Sequence, residues 1–552
     1  MDLPREFIAR MQPLLGSAWP AFAAALDAPR RRGLRVNTLK TDARTFLPLF
    51  PLPLTPAPFA PDVFCLPPEG DTPFKAGSDP LHHAGAYYMQ EPSATVPAAV
   101  LAARPGERVL DLCAAPGGKS TQLAAAMRGK GVLWCNEYVP ARARILQQNL
   151  ERCGVRNAVV SSGDTGRLCR ALAGWADAVL VDAPCSGEGM FRKEPQALSG
   201  WSIDNIRLCA ARQDEILDNA ALAVRPGGRL VYSTCTFAPE EDELAVARFL
   251  RRHPDFFLVP TTNDRKDVSP SSERTGSSCA HTDAVFVPTA NNTENVSPSS
   301  ERTGSSCTHT ASVLVPTANN TENVSPSSER TDAAYVPTAG LCDRTSGTAA
   351  PPGQPGFSLS ALSAFGTDGI DPTADTALCR RILPQHGGEG HFVALLYRAG
   401  DAPSADAPYR APQNDPHAAA ARALYAECFT DEPAGTFVTV GETVRLLPPD
   451  LPQLTGTGTL SAGLAVADVR RGRAEPCHAA FAAACAADCR RTVGLQPGDP
   501  RLAAFLHGEE LSVPEAAPGY CAVTVAGIPL GFGKVSGGRL KNRYPKGLRT
   551  LG

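Results

Sequence analysis

A chain of 552 residues is longer than one hydrophobic core supports, so two to four domains are expected. Its 43% hydrophobic and 20% charged content is that of an ordinary globular protein. A net charge of −3 gives no global sign of a polyanion partner, so any nucleic-acid surface must be local.

The opening Met1-Asp2-Leu3-Pro4-Arg5-Glu6-Phe7 has no secretory signal pattern, and no run approaches the ~20 apolar residues of a membrane span. The 17 cysteines include no Cys-x-x-Cys pair, which argues against zinc or any other metal site. Reduced thiols in a cytoplasmic protein, with no membrane partner, are the expectation.

In chain order, a helix-like stretch over 4–27 leads to the basic run Arg30-Arg31-Arg32-Gly33-Leu34-Arg35. From Glu107 to His253 short apolar runs alternate with helical ones. Strands are predicted at 108–114, 132–137, 157–162, 177–183 and 229–235, and helices at 119–128, 140–153, 203–224 and 239–252. Such alternation implies a doubly wound parallel sheet with helices on both faces and ligands at the carboxyl ends of its strands. Beyond Val259 the character changes. Val-Ser-Pro-Ser-Ser-Glu-Arg-Thr begins at Val268, Val296 and Val324, and the units are rich in Ser, Thr, Asn and Pro. Segments with so little to bury are expected to be a disordered insertion born of tandem duplication. The alternating pattern resumes near Phe365 and ends in His391-Phe392-Val393-Ala394-Leu395-Leu396-Tyr397, read as the last strand of the same sheet. A Pro/Ala linker over 401–417 precedes a C-terminal region. After Ala516 that region carries Lys534, Arg539, Lys541, Arg543, Lys546 and Arg549 and no acid.

The chemistry-bearing residues fall at predicted strand ends. Cys113-Ala114-Ala115-Pro116-Gly117-Gly118-Lys119 is a strand end, a glycine turn and a helix start, where free N–H groups can meet a nucleotide-type ligand. Glu137 ends the second strand and can accept from two ribose hydroxyls; Asp164 ends the third and can meet an adenine amino group. Cys185, in Asp182-Ala183-Pro184-Cys185-Ser186-Gly187, and Cys235, in Ser233-Thr234-Cys235-Thr236, end the fourth and fifth. If those strands are neighbours, two thiols share one cleft, and Cys113, Cys135, Cys153, Cys169 and Cys209 are expected to be buried hydrophobes. Lys119 can serve the ligand or sit at the surface.

These motifs together resemble the Sun-type family of RNA cytosine-5 methyltransferases, over roughly Arg35–His253 and Phe365–Tyr397. Arg35-Val36-Asn37-Thr38 and the stretch Gly85–Ser93 resemble the family's lead-in. The ending from Gly531 to Arg549 is similar to the bacterial RsmF-like branch, which modifies 16S ribosomal RNA. The resemblance implies a Rossmann-like α/β domain dependent on S-adenosylmethionine, with a small N-terminal α+β region and a C-terminal PUA-like RNA-binding domain. Its expected divisions are 1–84 (lead-in and RNA-binding region), 85–258 (first part of the catalytic domain), 259–364 (insertion), 365–400 (last strands) and 418–552 (RNA-binding domain). It also implies that Cys113–Lys119, Glu137, Asp164 and Asp182 hold the cofactor. Cys235 attacks C6 of a cytosine, Cys185 assists product release, and Asp182 bonds the base's N3/N4 edge. The implied partner is RNA, 16S ribosomal RNA first, bound by a monomer, with Arg30–Arg35 and the basic C-terminal tail as candidate phosphate contacts. The competing readings are a transfer-RNA enzyme, a DNA cytosine methyltransferase and a non-catalytic ribosome-assembly factor. A DNA enzyme would use the Pro-Cys thiol and lack the Thr-Cys-Thr partner. A degenerate factor would be expected to have lost a thiol or the glycine turn.

Overall fold

The computed structural model describes residues 1–68, 74–261, 352–401, 409–412, 415–470 and 473–550. The repeats beginning at Val268, Val296 and Val324, and most of the expected insertion, lie outside the described residues.

Two helices, Arg5–Leu15 and Trp19–Asp27, open the chain; Gly16, at φ +51°, breaks the single helix expected there. A four-stranded sheet follows, from β1 (Gly33–Val36), β2 (Thr55–Pro56), β3 (Val63–Cys65) and β4 (Tyr87–Met89) in the order β2-β3-β1-β4.

The central sheet is built on β5 (Arg108–Asp111), β6 (Val132–Glu137), β7 (Ala158–Ser162), β8 (Ala176–Asp182) and β9 (Val224–Thr234), all parallel, in the order β9-β8-β5-β6-β7. Successive residues of each strand feed opposite faces. Leu110, Trp134, Val159 and Val179 join the 203–223 and 243–252 helices in one core. Val109, Leu133, Val160 and Leu180 join the 96–101, 118–127 and 140–152 helices in another. Such two-sided burial is why these strands read as continuous apolar runs. The short β10 (Phe256–Val259), β11 (Gln354–Pro355), β12 (Arg380–Ile382) and β13 (His391–Arg398) complete one side, with β13 antiparallel to β9 and β10 paired along β13. The sheet is thus doubly wound, with 391–397 as a strand of it, as expected; that this edge is antiparallel was not.

Described structure resumes before Phe365. Gln354 and Pro355 pair with Arg381 and Arg380, and the Phe357 N–H donates to Glu243 Oε1 at 2.9 Å. Gln354–Pro355 therefore form part of the central sheet's edge. The expected helix over 239–252 starts only at Glu243, because Pro239–Asp242 form a turn.

The C-terminal region contributes β14 (Thr436–Val440), β15 (Thr443–Leu447), β16 (Thr459–Ala462), β17 (Leu464–Arg470) and β18 (Arg473–Pro476). It continues with β19 (Thr492–Leu495), β20 (Leu511–Ser512), β21 (Gly519–Val525), β22 (Ile528–Ser536) and β23 (Arg539–Asn542). They make sheets β14-β15-β17-β18 and β19-β21-β22-β23-β20, while β16 leaves its neighbours and pairs antiparallel with β7 at the open edge of the central sheet. The first and last sheets share one core, in which Leu34, Phe46 and Tyr87 lie with Val493, Phe505, Val523 and Leu540. Regions separated by some 400 residues of sequence therefore fold on each other.

Candidate active site

The carboxyl ends of β5, β6, β7, β8 and β9 open on one side, as parallel strands require, and every predicted site residue lies there. Gly117, at φ +112°, makes the turn after β5 and caps the helix Gly118–Met127; a Cβ on it would meet Leu146 Cδ1 at 3.2 Å. Ala114 N–H donates to Asn136 O, while Ala115 O accepts from Arg142 and Pro116 O from Tyr88 and Asn149, so the turn is held from both sides. Cys113 lies half-buried in the same turn, with its thiol pushed well up by burial and by the charges of Asp111, Asp182 and Glu137.

Glu137 is 4% exposed at the end of β6 and accepts the Val139 N–H at 3.0 Å. Asp164 follows β7 and caps the helix Thr165–Ala171, taking the Arg167 N–H on Oδ1 at 2.9 Å. Sequence reasoning passed over Asp111, the acid that ends β5. Ser120 Oγ donates to its Oδ2 at 2.7 Å, whereas its buried Oδ1 has no hydrogen-bond partner. Burial, eased by Ser120 and reinforced by the Asp182 charge, raises this carboxyl to about 7. The position of an acid at the end of the first strand was the available signal.

Asp182 ends β8. It accepts Lys119 Nζ at 2.7 Å on Oδ2 and Ser233 Oγ at 2.8 Å on Oδ1. Lys119 is therefore not a surface lysine: its side chain is 12% exposed. Burial alone would lower its pKa, but the Asp182 charge and hydrogen bond outweigh that and raise it, so it stays protonated.

Cys185 and Cys235 meet. Their sulfurs are 3.2 Å apart, and the Cys235 N–H points at Cys185 Sγ at 3.4 Å. Both are free thiols, as is every described cysteine. The hydrogen bond to Cys235 and then burial push the Cys185 thiol well above its ordinary range. Gly189 packs beneath, where a Cβ would lie 2.9 Å from Cys235 O; no side chain fits there. Below the thiols lie buried Glu188 and Glu241, which no sequence pattern had marked. Of the other cysteines expected to be hydrophobes, Cys135, Cys153, Cys169 and Cys209 are buried.

The basic segments divide. Arg35 is 2% exposed, and its guanidinium donates to Gly118 O at 2.7 Å, Thr121 Oγ1 at 2.8 Å and Gln90. It braces the glycine turn and cannot be a phosphate contact. The Arg31 N–H is held by Glu389, and Arg32 donates to Phe74 O. In the tail, Arg539 pairs with Glu510, Arg543 with Glu475, and Lys534 lies over the Tyr520 ring. Among the described residues no group of three or more His, Cys, Asp or Glu could hold a metal ion, and no helix is long and apolar enough to cross a membrane.

Three family models match the chain in order. Residues 3–92 match the N-terminal domain of 16S rRNA methyltransferase RsmF, 98–296 the 16S rRNA methyltransferase RsmB/F, and 493–550 the methyltransferase RsmF PUA domain. Curated relatives named ribosomal RNA small subunit methyltransferase F include one from Enterobacter sp. (strain 638), 41% identical over 46% of this chain and 54% of its own length. One from Citrobacter koseri is 39% identical over 49% of this chain and 57% of its own. The chain spans about half the length of the curated relatives it matches. A solved structure titled a methyltransferase homolog from Pyrococcus horikoshii superposes with a TM-score of 0.49 at 24% identity, over 72% of this chain and 96% of that one.

Proposed function

For a chain that belongs, through these three matched segments, to the RsmB/F methyltransferase family, we propose S-adenosylmethionine-dependent methylation of C5 of a cytosine in RNA, 16S ribosomal RNA first. The observation that carries this reading is the pair of thiols 3.2 Å apart, one strand end from Asp182 and beside the glycine turn.

The donor set suits the cofactor. The N-terminus of the Gly118–Met127 helix offers N–H groups to a carboxylate, and Glu137 offers acceptors to ribose hydroxyls. Arg35 and Asn149 hold the turn in shape. When bound, the cofactor supplies an electrophilic methyl group. Asp164 already caps a helix through Oδ1, so its contribution to an adenine site rests on its remaining oxygen.

C5 of cytosine is a weak nucleophile, and addition of a thiolate at C6 makes it enamine-like. Cys235 is the attacker in this reading, and Cys185, whose thiol is pushed up by its hydrogen bond to Cys235 and by burial, is its partner. Asp182, oriented by Lys119 and Ser233, is in this reading the group that bonds the N3/N4 edge of the ring as charge develops there. After methyl transfer a base removes the C5 proton, the electrons reform the C5–C6 double bond, and the sulfur–C6 bond breaks. Cys185, next to that bond, assists this step. The target base reaches the buried cleft only after leaving its stack. The PUA segment at 493–550 and the basic β22–β23 face supply the RNA contact.

The test is incubation of the purified protein with unmodified 16S ribosomal RNA, or with small ribosomal subunits from a strain lacking the gene, and methyl-labelled S-adenosylmethionine. Bisulfite sequencing should then show one protected cytosine. Label incorporated without a protected cytosine would place the methyl elsewhere and overturn the reading.

A further inference from the structure

The loops after β8 and β9 exchange buried carboxylates. Glu188 lies three residues past Cys185, yet its Oε2 accepts Thr236 Oγ1 at 3.1 Å and the Phe237 N–H at 2.9 Å, the two residues that follow Cys235. Its Oε1 takes Trp201 Nε1 at 2.8 Å. Glu241 lies six residues past Cys235, yet its Oε2 accepts the N–H of Ser186, next to Cys185, at 2.9 Å. Gln213, on the 203–223 helix, donates to that same oxygen at 2.8 Å and to Pro184 O at 3.0 Å, so Cys185 is bracketed on both sides. Where the loops touch, Ser186 Oγ and Thr236 Oγ1 are 2.8 Å apart. Both glutamates are at most 1% exposed.

We propose that Glu188 and Glu241 are positioning residues that act crosswise, Glu188 fixing the attacking thiol Cys235 and Glu241 fixing the releasing thiol Cys185. The proposal rests on the thiol roles given above. Neither carboxylate hydrogen-bonds a sulfur of the cleft; each holds the backbone or hydroxyl next to the other loop's cysteine. A buried carboxylate is costly unless its oxygens are used, and each glutamate turns its Oε2 to the opposite loop. The sub-ångström relation of two thiols that act in succession on one ring carbon bond is where such rigidity matters, since small misplacements of reacting groups cost large factors in rate. Glu241 Oε1 is buried without a hydrogen bond, so the group's role is met by one oxygen.

This crossing makes a prediction that sequence proximity reverses. With small ribosomal subunits lacking the modification as substrate, Glu241→Ala and Gln213→Ala should carry out the first methyl transfer within a few-fold of wild type. Both should release slowly, with multiple turnover lowered about ten- to a hundredfold and protein–RNA adduct accumulating on a denaturing gel. Glu241→Gln should restore most of the loss, because an amide oxygen can keep both bonds with its NH2 in the place of Oε1. Glu188→Ala and Thr236→Val should slow the first transfer by a similar factor and accumulate no adduct. Gln213 and Thr236 belong to other elements, so they decide the matter even if a glutamate variant fails to fold. Adduct accumulating with Glu188→Ala but not with Glu241→Ala or Gln213→Ala would overturn the proposal. So would changes in melting temperature alone. Cys185→Ala is the control: if it gives no adduct, the thiol roles themselves fail, and the fault is then identified as theirs.

Discussion

Lys119 Nζ and Asp182 Oδ2 are 2.7 Å apart, which ties the first turn of the helix after β5 to the end of β8. On the proposed mechanism the contact joins the turn assigned to the cofactor to the carboxylate assigned to the base, so neither half of the site is set independently. Lys119→Met should leave Asp182 to Ser233 alone. Asp182 is 30% exposed, so solvent offsets part of the loss, and a stability cost of about 1 kcal/mol is expected. The loss in methyl transfer should be larger, about a hundredfold, with Lys119→Arg partly active. Single-turnover methylation alongside thermal melting checks both. Full activity in Lys119→Met would show that Asp182 is oriented without it.

Arg35 supplies the second prediction, and it separates two uses of a basic residue. A phosphate contact, when removed, lowers RNA affinity and flattens its salt dependence by about one charge. Arg35 instead donates to Gly118 O and Thr121 Oγ1 beneath the glycine turn. Arg35→Ala should weaken S-adenosylmethionine binding by at least about tenfold in calorimetry. The slope of log RNA affinity against log salt should stay unchanged. A flattened slope would return Arg35 to the RNA surface.

The error over Arg35 shows which parts of this molecule its sequence exposes. The strands β5–β9 were readable because both faces are buried, which leaves runs such as Ala178-Val179-Leu180-Val181. Their parallel order then brings Cys185 and Cys235 together with no further information. Contacts between loops leave no such trace. Glu188 and Glu241 look like solvated acids until the partner loop is present, and Arg35 looks like the end of a basic run until Gly118 O lies against it. Strand β16 is Thr459-Leu460-Ser461-Ala462, without the pattern of a strand; the open edge of β7 makes it one.

Acidity should bear on stability through Asp111. Its folded value, about 7, is raised above the ordinary 3.8 by burial, so the folded protein binds a proton that the unfolded chain has released. For a raised carboxyl, stability is fully present below the unfolded value and lost as pH rises towards the folded one. Between about pH 4 and 7 the ligand-free protein should therefore lose up to ~1.4 kcal/mol per pH unit from this group. Glu241, also raised to about 7 by burial, adds in the same direction. Asp111→Asn should flatten the decline in denaturant titrations at several pH values. An unchanged slope would show that Asp111 stays ionised in the folded state.

The two ends that flank residues 262–351 lie against one arginine. Arg380 Nε donates to Thr261 Oγ1 at 3.2 Å, and Arg380 is also the strand partner of Pro355. Replacing 262–351 with about six Gly/Ser residues should therefore span the gap without moving β10 or β11. Shortening the closed loop should, if anything, stabilise the fold, by about 2 kcal/mol in the ideal-chain limit. Methyl transfer should be retained and the melting temperature should not fall. A fall of many degrees would mean that 262–351 contributes packing to the catalytic sheet.

On the proposed mechanism, the order of the covalent steps can be read from three variants on one gel. Cys235→Ala removes the attacking sulfur but none of the groups around the glycine turn, so methyl transfer should be abolished while S-adenosylmethionine still binds. Cys185→Ala keeps the attacker and loses its neighbour 3.2 Å away, so the variant should attack and methylate but release slowly. Protein joined to RNA should then accumulate as a slow band that nuclease removes. The double variant should show no band, because no bond to C6 can form. Were the Pro-Cys thiol the attacker, as in DNA cytosine methyltransferases, the band would appear with Cys235→Ala and be absent with Cys185→Ala. The Cys185 thiol is pushed well up by its hydrogen bond to Cys235 and by burial, which disfavours its thiolate and is the ground for the expected order.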